Sequence, residues 1–127
     1  MRFLTLFILF SLSNAQEWFI TNFEYGKMLY NNPRGISCAK CHGKRGEGKI
    51  ITSFKENGKH IVIKTTPFKN LSFEFFKKAL FHQLNIKKIL KKDKNSPLKY
   101  IIIMPKYNYL TDSEIKAIIY YLKKVNK

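Results

Sequence analysis

The stretch Cys38-Ala39-Lys40-Cys41-His42 constrains this chain more than any other. Its spacing is C-x-x-C-H, the attachment signature of c-type haem. Each part has a chemical task. Two thiols can add across the two vinyl groups of a haem and form two thioether bonds. The two intervening residues put both sulfurs on one side of a single tight turn. His42 follows directly and would sit under the porphyrin, where an imidazole binds the iron as proximal ligand. Other uses of these residues fit less well. A thioredoxin-like dithiol needs a βαβ surround, and the sequence has none. Structural zinc usually takes four Cys or His ligands, and a second Cys pair is missing. A disulfide between residues three apart stays open, though uncommon.

The N-terminus carries a different signal. Met1-Arg2 is a short basic start, and Phe3 to Leu12 is an apolar run. Ser13-Asn14-Ala15 offers small residues where a signal peptidase reads. Residues 1–15 are therefore expected to be a cleaved secretory signal peptide, and 16–127 the folded domain. The apolar run falls short of the about 20 residues that span a bilayer. An uncleaved anchor is the alternative. Export to the periplasm agrees with the motif, because covalent haem attachment of this kind takes place outside the cytoplasm. Cys38 and Cys41 are the only cysteines, so two thioethers would leave none for a disulfide.

The formal charge is +16, or +15 once Arg2 leaves with the signal. Such a field favours acidic partner proteins or an anionic membrane surface. Nucleic acid, the other usual partner of a basic chain, is set aside by export. Heavy use of Lys, Asn, Ile and Phe also fits an AT-rich genome, which weakens any inference from charge alone. Aromatic residues make up 15% of the chain, a composition suited to walls around a flat apolar cofactor.

Periodicity gives the elements. Gln16 to Asn32 reads as a first helix with Phe19, Phe23, Gly26 and Tyr30 on one face. Gly26 costs a helix about 1 kcal/mol against Ala, a cost that close approach of another helix would explain. Gly43, Gly46 and Gly48 make a loop after the motif. Asn57-Gly58 predicts a type I′ turn between strands near 49–55 and 59–65. Ser72 is placed to cap a helix from Phe73 to about His82, with Phe73, Phe76 and Leu80 inward. Asn85 to Lys94 reads as a short lysine-rich helix. Lys99 to Leu110 reads as a loop over an apolar surface. Pro105 biases Met104 to an extended backbone, from which its thioether could reach the distal side of a haem. A core methionine is the plainer use. Thr111 to Val125 is the clearest helix. Thr111 and Glu114 form a capping box, and Ile115, Ile118, Ile119 and Leu122 make an apolar stripe.

In this order the parts resemble the monohaem class I cytochromes c of bacteria. The likeness covers most of residues 16–127. It rests on a first helix with Gly26 and Tyr30, then Cys38-Ala39-Lys40-Cys41-His42-Gly43, then Met104-Pro105, then a last helix ending in Tyr120-Tyr121-Leu122. The resemblance implies a mostly α, class I cytochrome c-like domain around one covalent haem c, with the hairpin as a small β insertion. It implies that Cys38 and Cys41 hold the haem, with His42 as the proximal and Met104 as the distal iron ligand. It further implies that the first and last helices cross at Gly26 against Tyr121 or Tyr120, and that Pro67 to Leu71 lines the haem.

The function so implied is a monomeric periplasmic carrier of single electrons between respiratory partners, not an enzyme. His/Met ligation would leave no open coordination position. Lys40, Lys44, Arg45 and Lys106 are the basic residues nearest the ligands in sequence and would steer acidic partners. Rival readings are a haem sensor or haem-enzyme subunit with an open distal site, where His60 or His82 could compete with Met104, and a fixed subunit of a larger oxidoreductase complex. Bacterial cytochrome c peroxidases carry two C-x-x-C-H motifs, and this chain has one.

Overall fold

The computed structural model describes residues 19–84 and 104–127. The expected signal peptide, residues 16–18 of the expected first helix, the expected helix Asn85–Lys94 and the first part of the Lys99–Leu110 loop lie outside the described residues. The element order is α1 (Asn22–Asn31), α2 (Cys38–His42), β1 (Ile50–Glu56), β2 (Lys59–Lys64), α3 (Phe73–Leu80) and α4 (Asp112–Val125). Among the described residues no helix is long and apolar enough to cross a membrane.

Helix α1 starts later than periodicity alone implied. Thr21 and Glu24 form a capping box, with the Glu24 N–H on Thr21 Oγ1 at 3.2 Å and the Thr21 N–H on the Glu24 carboxylate at 3.0 Å. An N-cap residue has extended backbone, so the helix cannot continue back through it. Phe19 therefore does not join the buried face and is 81% exposed. Phe23, Gly26 and Tyr30 do turn inward, with Gly26 and Tyr30 buried.

Helix α4 has the same cap, from Thr111 and Glu114. Its expected stripe of Ile115, Ile118, Ile119 and Leu122 is buried, joined by Ala117 and Tyr121. Helices α1 and α4 form the most extensive helix pair. At their contact, a Cβ on Gly26 would lie 2.6 Å from the Ala117 carbonyl carbon and 3.0 Å from Tyr121 Cβ. No side chain fits there, which explains a glycine inside a helix. The aromatic at this point is Tyr121, whose ring meets Phe23 at 5.4 Å and Tyr30 at 5.5 Å. Tyr120 points away and is exposed.

Helix α3 lays Phe76 and Leu80 into the same core. It stops at Leu80 rather than His82, because His82 takes a left-handed backbone, φ +57°. Ser72 stands at the N-cap position but its side chain makes no capping bond; its N–H instead donates to Asn70 Oδ1 at 2.9 Å. Lys77 Nζ reaches Asp112 Oδ1 at 2.8 Å and ties α3 to the start of α4.

The hairpin forms as the Asn-Gly pair requires. Strands β1 and β2 pair antiparallel with Phe54 opposite Ile61 and Glu56 opposite Lys59, and an irregularity between Ile50 and Thr52. Asn57 and Gly58 both have positive φ, 48° and 75°, as a type I′ turn demands. The hairpin reaches the helical part through Thr65. Its N–H donates to the Lys49 carbonyl at 2.9 Å, and its hydroxyl donates to the Cys41 carbonyl at 2.5 Å.

Candidate cofactor site

Helix α2 is a single turn made of the motif itself, and Gly43 ends it with φ +83°. Residues three apart on a helix share a face, so Cys38 and Cys41 present their sulfurs to one side. Both line a cavity of about 610 Å³, together with His42. Phe75, Phe76, Ala79 and Leu80 of α3 form a second part of its wall, and Pro67 to Asn70 a third. Met104 and Tyr107 line the cavity from the C-terminal side. The expected lining loop is thus Pro67–Asn70; Leu71 packs into the core instead.

Side chains from distant parts of the chain hold the motif in place. The Tyr30 hydroxyl donates to the Gly43 carbonyl at 2.7 Å, and the Tyr121 hydroxyl to the Lys44 carbonyl at 2.8 Å. The Gly48 N–H donates to the His42 carbonyl at 2.9 Å. Arg45 Nε donates to the Val125 carbonyl at 2.8 Å, so this guanidinium closes the end of α4. Arg45 is exposed like Lys40, Lys44 and Lys106, but its guanidinium is engaged at the end of α4.

The His42 ring stacks on Phe68, with centroids 4.7 Å apart and planes 27° apart. Phe68 is fixed in turn by its N–H to the Gly46 carbonyl at 3.0 Å. Burial lowers the His42 pKa and so favours the neutral imidazole, the form that ligates metals. Its Nδ1 is buried with no hydrogen-bond partner among the described residues. Burial also pushes the Cys38 thiol up to about 11. Disulfide oxidoreductases need the opposite, a thiol lowered towards neutrality. Among the described residues no group of three or more His, Cys, Asp or Glu is arranged to hold a metal by protein donors alone. Both the dithiol and the zinc readings lose ground.

The cavity fits a covalent haem. Its walls are mostly aliphatic and aromatic, suited to a flat macrocycle, and Lys64 and Lys69 supply cations that suit the carboxylates on its edge. Two thiols, a neutral imidazole and a thioether line this one space. The cytochrome c family model matches residues 23–126 of the chain. The chain belongs to the cytochrome c family. No curated protein and no solved structure matches it significantly. Membership makes haem c its cofactor, attached through Cys38 and Cys41, and electron transfer by the bound haem its role. Haem iron supplies a one-electron couple between its ferric and ferrous forms.

His60 and His82, the other histidines, are both exposed and neither lines the cavity. Sequence reading missed Phe68, Thr65 and Tyr107 as individual parts of the site. Phe68 was detectable only as one residue of a loop. Tyr107 carried no signal, because a tyrosine three residues after a methionine is ordinary until the fold brings it to the motif.

Proposed function

We propose that this cytochrome is a periplasmic carrier of single electrons, closed at iron by His42 and Met104, and not an enzyme. The observation that carries the reading is one apolar cavity lined by Cys38, Cys41, His42 and Met104 together. Two protein ligands leave iron no position for a substrate. A mostly apolar wall that excludes water would let a bound haem change oxidation state with little rearrangement around it. The chain's part is to hold the ligands, exclude water and present one cofactor edge. The signal-like start, residues 1–15, supports export. Lys40, Lys44 and Lys106 would face an acidic redox partner, in keeping with the charge of +16. Transfer to such a partner should slow as salt rises, since exposed charges farther apart than about 8 Å are largely screened at physiological ionic strength.

Voltammetry of the exported haem-loaded protein tests the reading. A reversible one-electron wave, unchanged by carbon monoxide or hydrogen peroxide, is expected. A carbon monoxide complex of the ferrous protein, or a catalytic peroxide wave, would move the function to sensing or catalysis.

A further inference from the structure

Tyr107 lies three residues after Met104 and is tied at both ends. Its N–H donates to the Leu80 carbonyl, the last residue of α3, at 2.9 Å. Its hydroxyl donates to the Ile36 carbonyl, two residues before Cys38, at 2.6 Å. The residue is 3% exposed and lines the cavity. One residue thus joins three parts of the cavity wall, through its backbone to the end of α3 and through its side chain to the approach to the motif, with the segment that carries Met104 in between. Neighbouring Tyr109 makes a similar bond, from its hydroxyl to the Pro33 carbonyl at 2.8 Å, but it is 46% exposed and does not line the cavity.

We infer that Tyr107 is a positioning residue that pins the Met104 segment to the Cys38 side of the cavity and slows departure of the thioether from iron. The physical case is a short tether. Three residues span at most roughly 10 Å fully extended. Pro105 fixes one of the intervening φ angles and shortens the reach further. With Tyr107 held at two carbonyls, the Met104 backbone stays at the cavity. The segment as a whole can move away only by straining the tether or breaking the part-buried hydroxyl bond or the Leu80 bond; side-chain rotation alone leaves the thioether close enough to return. Removing the hydroxyl also leaves the Ile36 carbonyl without that donor. One net hydrogen bond corresponds to about a fivefold change in the opening equilibrium.

The inference rests on Met104 ligation, and the experiment separates the two. Imidazole is mixed with the ferric haem-loaded protein, and loss of the sulfur-to-iron band in the red is followed. At saturating imidazole the rate reports departure of the thioether. Tyr107→Phe should raise this limiting rate, by up to about fivefold, while Tyr109→Phe leaves it at the wild-type value. Pro105→Gly, which keeps both Tyr107 bonds but frees the tether, should raise it too, and it tests the idea even if Tyr107→Phe fails to load haem. Equal rates for Tyr107→Phe and Tyr109→Phe, or an unchanged rate in Pro105→Gly, would overturn the inference. Absence of the red band in the wild-type protein would overturn Met104 ligation and the inference with it.

Discussion

Replacing Gly26 with alanine puts a single methyl group where α1 meets α4. That methyl would lie 2.6 Å from the Ala117 carbonyl carbon and 3.0 Å from Tyr121 Cβ, and still nearer the Ala117 oxygen. The atoms in the way are mainly backbone, so they cannot turn aside as a flexible side chain can. The helices must separate, and Leu29, Tyr30, Ile118 and Leu122 lose contacts across the core. Overpacking of this kind costs about 1–3 kcal/mol, and a backbone clash belongs at the upper end. Alanine returns about 1 kcal/mol through its better helix propensity. The net loss is about 2 kcal/mol. For a domain of this size that lowers Tm by about 6–10 °C. Thermal melts of the haem-loaded protein followed by circular dichroism measure it. Met28→Ala, at a half-exposed position on the same helix, is the control and should stay within about 0.5 kcal/mol of wild type. If Gly26→Ala melts at or above the wild-type temperature, α1 and α4 do not touch here and the packing argument fails.

Other outcomes follow from the site and its supports. Arg34 grips the Glu114 carboxylate with two bonds, at 2.7 and 3.0 Å, and holds its pKa down at about 2. A depressed carboxylate stabilises the fold above its unfolded pKa, and that contribution is lost as pH falls from about 5 through about 2. Solvent screening at the half-exposed Arg34 limits it to about 1–2 kcal/mol. Glu114→Gln should therefore lower Tm at pH 7 and converge with wild type in acid; parallel melting curves down to pH 2 would refute the ion pair. Gly46 has φ +73°, and a Cβ there would meet Phe68 Cε2 at 2.8 Å. Gly46→Ala should displace Phe68 from His42 and destabilise the fold by about 1–3 kcal/mol, read by chemical denaturation. Replacing both Cys38 and Cys41 with serine should release haem under denaturing conditions, whereas wild type keeps it on a denaturing gel.

Local rules accounted for much of this architecture. The Asn57-Gly58 hairpin, the Thr111 cap and the stripe of α4 form where turn chemistry and 3.6-residue periodicity put them. The C-x-x-C-H spacing put both sulfurs on one side of a single tight turn, and that turn is the short helix α2. Periodicity overran at the start of α1 because an apolar phenylalanine, Phe19, continued the pattern across a cap. Thr21-x-x-Glu24 was there to be read and marks the boundary. Ser72 shows the reverse, a residue of the right type whose side chain makes no capping bond. The side chains that brace the site act across long separations, Tyr107 to Ile36, Tyr121 to Lys44 and Arg34 to Glu114. No local pattern encodes such pairs, because they depend on how α1, α3 and α4 pack.

Closed His42 and Met104 ligation of a covalent haem has a direct test in the absorption spectrum of the exported protein. The reduced form should show a sharp c-type α-band that carbon monoxide leaves unchanged. The oxidised form should show a weak red sulfur-to-iron band, which disappears in Met104→Ala. A wild-type spectrum without the red band, or one that carbon monoxide shifts at once, would contradict that ligation.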